Sequence, residues 1–288
     1  MSRAPSADRP QHKPKIGQHF LSGGAEARRI VDALGDVSQV TVLEIGPGRG
    51  ALTKLLATRA QRLIAVELDR VLSAQLRMQF ALDTNVEIIE GDILKIELDT
   101  VFGPKPGLMR PGLSFSPQPA RVVGNLPYYI TSDILLRLFQ YHRYFSTIVI
   151  MVQKEVADRL AATPGSRDYG LLSATARLYG EIESLFTLPP GAFSPPPKVH
   201  SSVVRITIRP RVEALRVPES EFIAFLKLCF GQKRKTLWNN LKTRYDEGAL
   251  RTALAESGVK PAVRAEALPL EKTAALFRAL RDGASPAQ

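Results

Sequence analysis

Short apolar runs rich in β-branched residues recur along the chain, at Thr41 to Ile45, Arg62 to Glu67, Val86 to Glu90, Ala120 to Gly124, Thr147 to Gln153 and Ser202 to Ile208. A strand covered on both faces reads this way, because neither side of its pleat is left in water. Between the runs the period lengthens to that of a helix, with Leu52, Leu55 and Leu56 after the first run and Val71, Leu72 and Leu76 after the second. Both stripes are expected to be core rather than site. Strand and helix in alternation predict an α/β domain over residues 15–209, a mainly parallel sheet with helices on both faces. Past Arg209-Pro210-Arg211 the strand pattern stops. Ser220 to Phe230, Lys235 to Thr243, Glu247 to Ser257 and Glu271 to Arg281 read as amphipathic helices. Pro218, Gly231, Gly258, Pro261 and Pro269 punctuate them, which predicts a smaller all-α domain over residues 210–288.

Two stretches fit no element. Residues 103–119 are rich in Pro, Gly and Ser and read as an extended surface loop, more in keeping with a tolerated insertion than with a functional arm. Residues 1–14, with Arg3, Arg9 and Lys13 among prolines and no apolar core for a signal peptide, read as a disordered basic tail. A transit peptide is the alternative, disfavoured by Asp8, and the cytoplasm is the expected compartment. Lys and Arg number 39 against 28 Asp and Glu, a formal charge of +11. That excess favours a polyanion, and nucleic acid is the expected one, since no long apolar run or basic amphipathic anchor suits a membrane. The single cysteine, Cys229, sits in the apolar run Phe225 to Phe230 and is expected to be a buried thiol with no disulfide partner in the chain.

The run Val42-Leu43-Glu44-Ile45-Gly46-Pro47-Gly48-Arg49-Gly50 sets a glycine-rich turn between the first strand and the first helix. Glycine lets backbone approach a ligand closely and reach positive φ. Gly46-x-Gly48-x-x-Ala51 also satisfies the dinucleotide fingerprint, so the loop alone leaves the nucleotide-like ligand open. The next strand ends at Glu67, 21 residues beyond Gly46. A carboxylate there can accept two hydrogen bonds from a ribose diol, which NAD and S-adenosylmethionine both present. Glu90-Gly91-Asp92-Ile93 puts a second carboxylate at the edge of the third strand, suited to accept from an adenine amino group.

Asn125-Leu126-Pro127-Tyr128 at the end of the fourth strand decides between these ligands. The lone pair of an adenine N6 is delocalised into the ring, so attack on a sulfonium methyl needs the amino group turned toward tetrahedral geometry. The Asn125 side-chain oxygen and the Leu126 carbonyl can each accept one N–H and aim the lone pair at the methyl. Pro127 stiffens the turn, and Tyr128 can stack on the base.

With these blocks the chain resembles the ribosomal RNA adenine N6,N6-dimethyltransferases, in particular the bacterial small-subunit enzymes that dimethylate two adjacent adenosines near the 3′ end of 16S rRNA. The resemblance spans nearly the whole chain, through Gly17-Gln18-His19-Phe20-Leu21, Glu44 to Gly48, Glu67-Leu68-Asp69, Gly91-Asp92, Asn125 to Tyr128, Phe193-Ser194-Pro195-Pro196-Pro197-Lys198-Val199 and Gln232-Lys233-Arg234-Lys235-Thr236-Leu237. It implies a Rossmann-like class I methyltransferase domain with a mainly parallel seven-stranded sheet, one strand more than the pattern locates. It implies S-adenosylmethionine as methyl donor, held by His19, Leu21, Gly46, Gly48, Glu67, Leu68, Asp92, Ile93 and Asn125. Catalysis then falls to Asn125, Leu126, Pro127 and Tyr128, with Phe193 covering the other face of the adenine. One position departs, since the family usually has Asn where this chain has His19.

No metal is expected, and His12, His19, His142 and His200 form no metal-ligand spacing. Lys233, Arg234, Lys235, Trp238 and Lys242, with Arg244, cluster cations and an aromatic on adjoining helical segments. They are the expected surface for 16S rRNA within an immature small subunit, which the protein is expected to meet as a monomer. Arg28-Arg29 and Arg209 to Arg211 are weaker candidates. Three other readings are a large-subunit rRNA adenine methyltransferase sharing the donor and acceptor blocks, a ribosome-assembly factor in which methylation is secondary, and a nicotinamide oxidoreductase. The last has no use for Asn125 to Tyr128.

Overall fold

A computed structural model describes residues 19–103 and 118–282. The expected tail over 1–14 and most of the expected loop over 103–119 lie outside the described residues. The chain runs β1 (Phe20–Leu21), α1 (Gly24–Asp32), β2 (Thr41–Ile45), α2 (Thr53–Ala57), β3 (Arg62–Glu67), α3 (Arg70–Gln79), β4 (Val86–Glu90), α4 (Leu98–Phe102), β5 (Ala120–Asn125), α5 (Thr131–Gln140), β6 (Phe145–Gln153), α6 (Lys154–Ala161), α7 (Leu171–Tyr179), β7 (Gly180–Leu188), β8 (Phe193–Ser194) and β9 (Ser201–Ile208). Then come α8 (Val212–Leu215), α9 (Glu219–Cys229), α10 (Leu237–Leu241), α11 (Glu247–Glu256) and α12 (Leu270–Asp282).

Seven strands form one sheet in the order β4-β3-β2-β5-β6-β9-β7. The first five are parallel to their neighbours, and β9 and β7 close one edge antiparallel. After β2 the chain fills one half of the sheet with β3 and β4, then crosses back to place β5 against the other side of β2. Ligands of open α/β sheets bind beyond the carboxyl ends of the strands at such a reversal. Here it brings the glycine loop and the Asn125 segment side by side, with Ile45 in register with Gly124.

The six strands read from the sequence are all present, and the seventh is β7. Its Glu181, Glu183, Ser184 and Thr187 are exposed, as an edge strand allows, and a register shift between Ser184 and Phe186 breaks the alternation that would have marked it. Of the two helical stripes expected to be core, Leu52, Leu56, Leu72 and Leu76 are buried and Leu55 is half-buried, but Val71 is 48 % exposed. The correction has a local cause: Val71 sits in the first turn of α3, beside the exposed Leu68, at the rim of the sheet's carboxyl edge.

The C-terminal helices do not stand apart from the sheet. Phe222 and Phe225 of α9 and Phe277 of α12 share one apolar cluster with Leu138 and Phe139 of α5 and Tyr179 of α7. Phe139 stacks on Tyr179 at a centroid separation of 5.3 Å, and the Tyr179 hydroxyl donates to Glu219 at 2.7 Å. Cys229 is buried in the same cluster, and burial pushes its thiol pKa upward. Among the described residues no helix is long and apolar enough to cross a membrane.

Candidate active site

On the donor side, Gly46 and Gly48 hold φ of +67° and +58°, a region costly to residues with a side chain. A Cβ on Gly48 would also meet the Phe20 ring at 2.9 Å. The Gly48 N–H donates to Oε2 of Glu67 and the Asp69 N–H to Oε1, both at 2.9 Å. The carboxylate of Glu67 is thereby fixed with one bond on each oxygen, and each oxygen keeps capacity for a second donor such as a ribose hydroxyl. Burial raises its pKa, against the pull of the two backbone N–H groups. Asp69 instead caps α3, accepting from Val71 N–H at 2.9 Å and Leu72 N–H at 3.3 Å. Leu68 and Ile93 give the cavity apolar walls, and Asp92 lines it with one carboxylate oxygen engaged by the Leu94 N–H at 3.0 Å.

On the acceptor side, the Asn125 amide donates through Nδ2 to the His19 carbonyl at 2.8 Å. Neither Asn125 Oδ1 nor the Leu126 carbonyl accepts a hydrogen bond among the described residues. The Tyr128 hydroxyl and the Ser201 hydroxyl share a hydrogen bond of 2.7 Å, and burial raises the tyrosine pKa. The His19 ring lies 5.6 Å from the Tyr128 ring, tilted by 32°. Pro127 O is the acceptor for Thr131 Oγ1 at 2.9 Å, which ties the turn to the start of α5.

One cavity takes in His19, Leu21, Gly46, Gly48, Glu67, Leu68, Asp92, Ile93, Asn125, Leu126, Pro127 and Tyr128. The hydrogen-bonding groups and faces of a nucleoside-bearing donor fit these walls: an acid with spare acceptor capacity, apolar faces, and a backbone loop with no Cβ in the way. Phe193 is not brought to it. The ring is 4 % exposed and packs in a second apolar cluster with Val149, Met151 and Val203, because β8 pairs with β1 and sets Leu21 opposite Phe193. The residue expected to cover the second face of the base is thus packed in the core and does not line the cavity.

Glu44 lines the same cavity and was given no role by the sequence reading. It is 1 % exposed, and its Oε2 has no hydrogen-bond partner among the described residues. Burial, joined by the nearby Glu67 charge and opposed by Thr53, pushes its pKa up to about 8. The available signal was an acid inside the apolar run Val42 to Ile45, where a strand buried on both faces does not tolerate one without reason.

Lys233, Arg234, Lys235 and Lys242 are exposed, and Trp238 is half-buried. Arg234, Lys235, Lys242 and Arg244 join no ion pair among the described residues, whereas Arg209 and Arg211 are held by Glu181 at 2.9 Å and Glu271 at 2.6 Å. Lys233 Nζ donates to the Arg167 carbonyl at 2.7 Å, and the Arg251 guanidinium lies 5.7 Å from the Trp238 ring centre. Arg29 covers the Phe186 ring at 3.9 Å. No group of three or more His, Cys, Asp or Glu suited to a metal ion occurs among the described residues.

A mainly parallel seven-stranded sheet closed by an antiparallel pair, with a glycine loop and strand-end acids at its reversal, is the architecture of the class I methyltransferases, and this chain is a methyltransferase. The family model of the ribosomal RNA adenine dimethylases matches residues 9–282, and the chain belongs to that family. The ribosomal RNA small subunit methyltransferase A of Koribacter versatilis is 58 % identical over 275 residues, 96 % of this chain and 96 % of that protein. The protein of the same name from Acidobacterium capsulatum is 52 % identical over 282 residues, 98 % of this chain and 95 % of that one. Among solved structures, a dimethyladenosine transferase from Plasmodium falciparum shares the fold, with a TM-score of 0.71 at 23 % identity over 92 % of this chain and 98 % of that one. The 23S rRNA methyltransferase ErmE gives a TM-score of 0.64 at 27 % identity, over 91 % of this chain and 99 % of that one.

Proposed function

We propose that the protein transfers methyl groups from S-adenosylmethionine to the N6 amino groups of two adjacent adenosines near the 3′ end of 16S rRNA, in an immature small ribosomal subunit, as a monomer in the cytoplasm. The observation that carries this reading is the pair of unspent acceptors, Asn125 Oδ1 and Leu126 O, in the cavity that also holds the glycine loop and Glu67. An amino group with two N–H donors matches these two acceptors.

The donor supplies an electrophilic methyl on a sulfonium centre. Asn125 Oδ1 and Leu126 O each accept one N–H of the adenine, which draws the N6 lone pair out of conjugation and holds it toward the donor side of the cavity. Tyr128, pinned through its hydroxyl to Ser201, offers its face to the base, a contact of roughly 1–3 kcal/mol. As the N6–methyl bond forms, the methyl's bond to sulfur would break with its electron pair left on a neutral thioether; N6 is left positively charged, and a proton passes from it to water. The monomethylated amine keeps one N–H, so the base reseats before the second transfer.

The unpaired cations around α10 grip phosphate in this reading, and residues 210–288 act as the RNA-binding part of the chain. Reversing Lys233 and Arg234 to glutamate is expected to weaken RNA binding, to lower the slope of log Kd against log salt by about 1 to 2, and to leave donor affinity unchanged. Filter binding across a salt series checks this, and unaltered binding at every salt concentration would remove the assignment. The whole reading is tested by incubating the protein with labelled donor and unmethylated small subunits, then digesting the RNA to nucleosides. Labelled N6,N6-dimethyladenosine from two neighbouring positions is the expected product; label in any other nucleoside would overturn the proposal.

A further inference from the structure

We propose that His19 is a positioning residue for the acceptor adenine rather than a ligand of the donor, acting through the Asn125 amide. This rests on the acceptor chemistry proposed above and assigns a residue to it.

The geometry is a relay of two hydrogen bonds. An asparagine amide has an oxygen that accepts and a nitrogen that donates, and rotation about its last bond exchanges them at little cost. Only one of the two orientations serves an adenine amino group, which has N–H bonds to give and needs an acceptor. The His19 carbonyl settles the choice, because it can only accept, and at 2.8 Å it binds Nδ2 of Asn125. Oδ1 is left for the base. The other orientation would set two oxygens against each other and present N–H to N–H.

The His19 carbonyl is in turn held from its own side chain. Nδ1 of the ring lies 2.8 Å from the Pro195 carbonyl. That oxygen too can only accept, so Nδ1 carries the hydrogen. Next to it, Phe20 pairs with Ser194 and Leu21 with Phe193 across β1 and β8. His19 directly precedes the paired Phe20 and Pro195 directly follows the paired Ser194, so the ring bond continues the tie between the two segments by one residue. The ring also lies against Tyr128, the residue that offers a face to the base.

The same bond decides which residues could replace histidine here. Asparagine Nδ2 occupies the place of histidine Nδ1, two bonds from Cβ, and can donate to Pro195 O in the same way. Glutamine places its nitrogen where Nε2 lies and cannot.

Three variants test the assignment in the intact chain: His19→Ala, His19→Gln and His19→Asn. Each is assayed for donor affinity by titration, for kcat on unmethylated small subunits with nucleoside analysis, and for thermal unfolding. His19→Ala and His19→Gln are expected to keep donor Kd within about 2-fold of the starting protein and to lose on the order of 10-fold in kcat, the scale of a misplaced reactant. His19→Asn is expected to recover kcat to within about 3-fold. A donor Kd weakened as much as kcat in His19→Ala would overturn the proposal, as would recovery by glutamine equal to that by asparagine. If His19→Ala unfolds early, the Asn and Gln pair carries the test. Absence of N6-methylated adenine from the starting protein's own reaction would instead overturn the acceptor chemistry, and this assignment with it.

Discussion

Asn125→Ala is expected to abolish both methyl transfers, with kcat down by about 100- to 1000-fold, the usual cost of removing one preorganised polar group from a reacting centre. Two effects combine. The base loses one of its two acceptors, and the Leu126 carbonyl alone cannot define the direction of the N6 lone pair. The His19 carbonyl also loses its donor and is left without its partner at the edge of the cavity. The donor keeps Glu67, the glycine loop and its apolar walls, so its affinity should change little. Equilibrium titration with donor beside single-turnover assays on unmethylated subunits separates the two quantities. Equal counts of mono- and dimethylated adenosine, at undiminished rate, would show that Asn125 does not hold the amino group.

Glu44→Gln is expected to alter the pH dependence of stability more than any other single change in the core. The carboxyl titrates near 8 in the fold, against 4.5 in the unfolded chain. Between those values the native state binds more protons than the unfolded one, so stability falls as pH rises, by at most about 1.4 kcal/mol per unit. Below pH 4.5 the carboxyl is neutral in both states and the effect vanishes. Glutamine keeps the shape of the protonated acid and cannot ionise. The unfolding temperature of the variant, measured without donor, should therefore match the unsubstituted protein near pH 4.5 and exceed it at pH 8.5. The cationic donor favours the ionised acid, so in the unsubstituted protein donor affinity should rise from pH 6.5 to 8.5, and in the variant it should not. Parallel stability curves across the whole range would mean that Glu44 is ionised in the fold.

The sheet was legible because five of its strands lie inside it. Burial on both faces makes runs such as Thr41 to Ile45 and Thr147 to Gln153 mostly apolar, and their short length and β-branched residues favour a strand over a helix. The edge strand β7 faces water along much of its length and carries a register shift, so nothing in Gly180 to Leu188 required the strand reading. The cavity walls were legible for a related reason: glycines and strand-end acids sit at fixed places in the alternation of strand and turn. Phe193 was not. An aromatic beside a proline-rich turn reads alike whether it faces a ligand or a core, and what buries it is the two-residue pairing of β1 with β8, which joins distant parts of the chain. Glu44 stood within a motif, but its unpartnered oxygen belongs to packing that no single sequence displays.

The apolar cluster that runs unbroken from Leu43 in β2 to Leu280 in α12 has a mechanical meaning. It packs α9 and α10, which flank Lys233, into the same core as α5 and α7. On the proposed assignment the protein then works as a gauge of fixed span, with phosphate clamped at one jaw and an amino group received at the other. On that assignment an adenosine would be selected by its distance, in the folded RNA, from a backbone segment the helices grip. The same bases in an unfolded strand would pass between the jaws unmeasured.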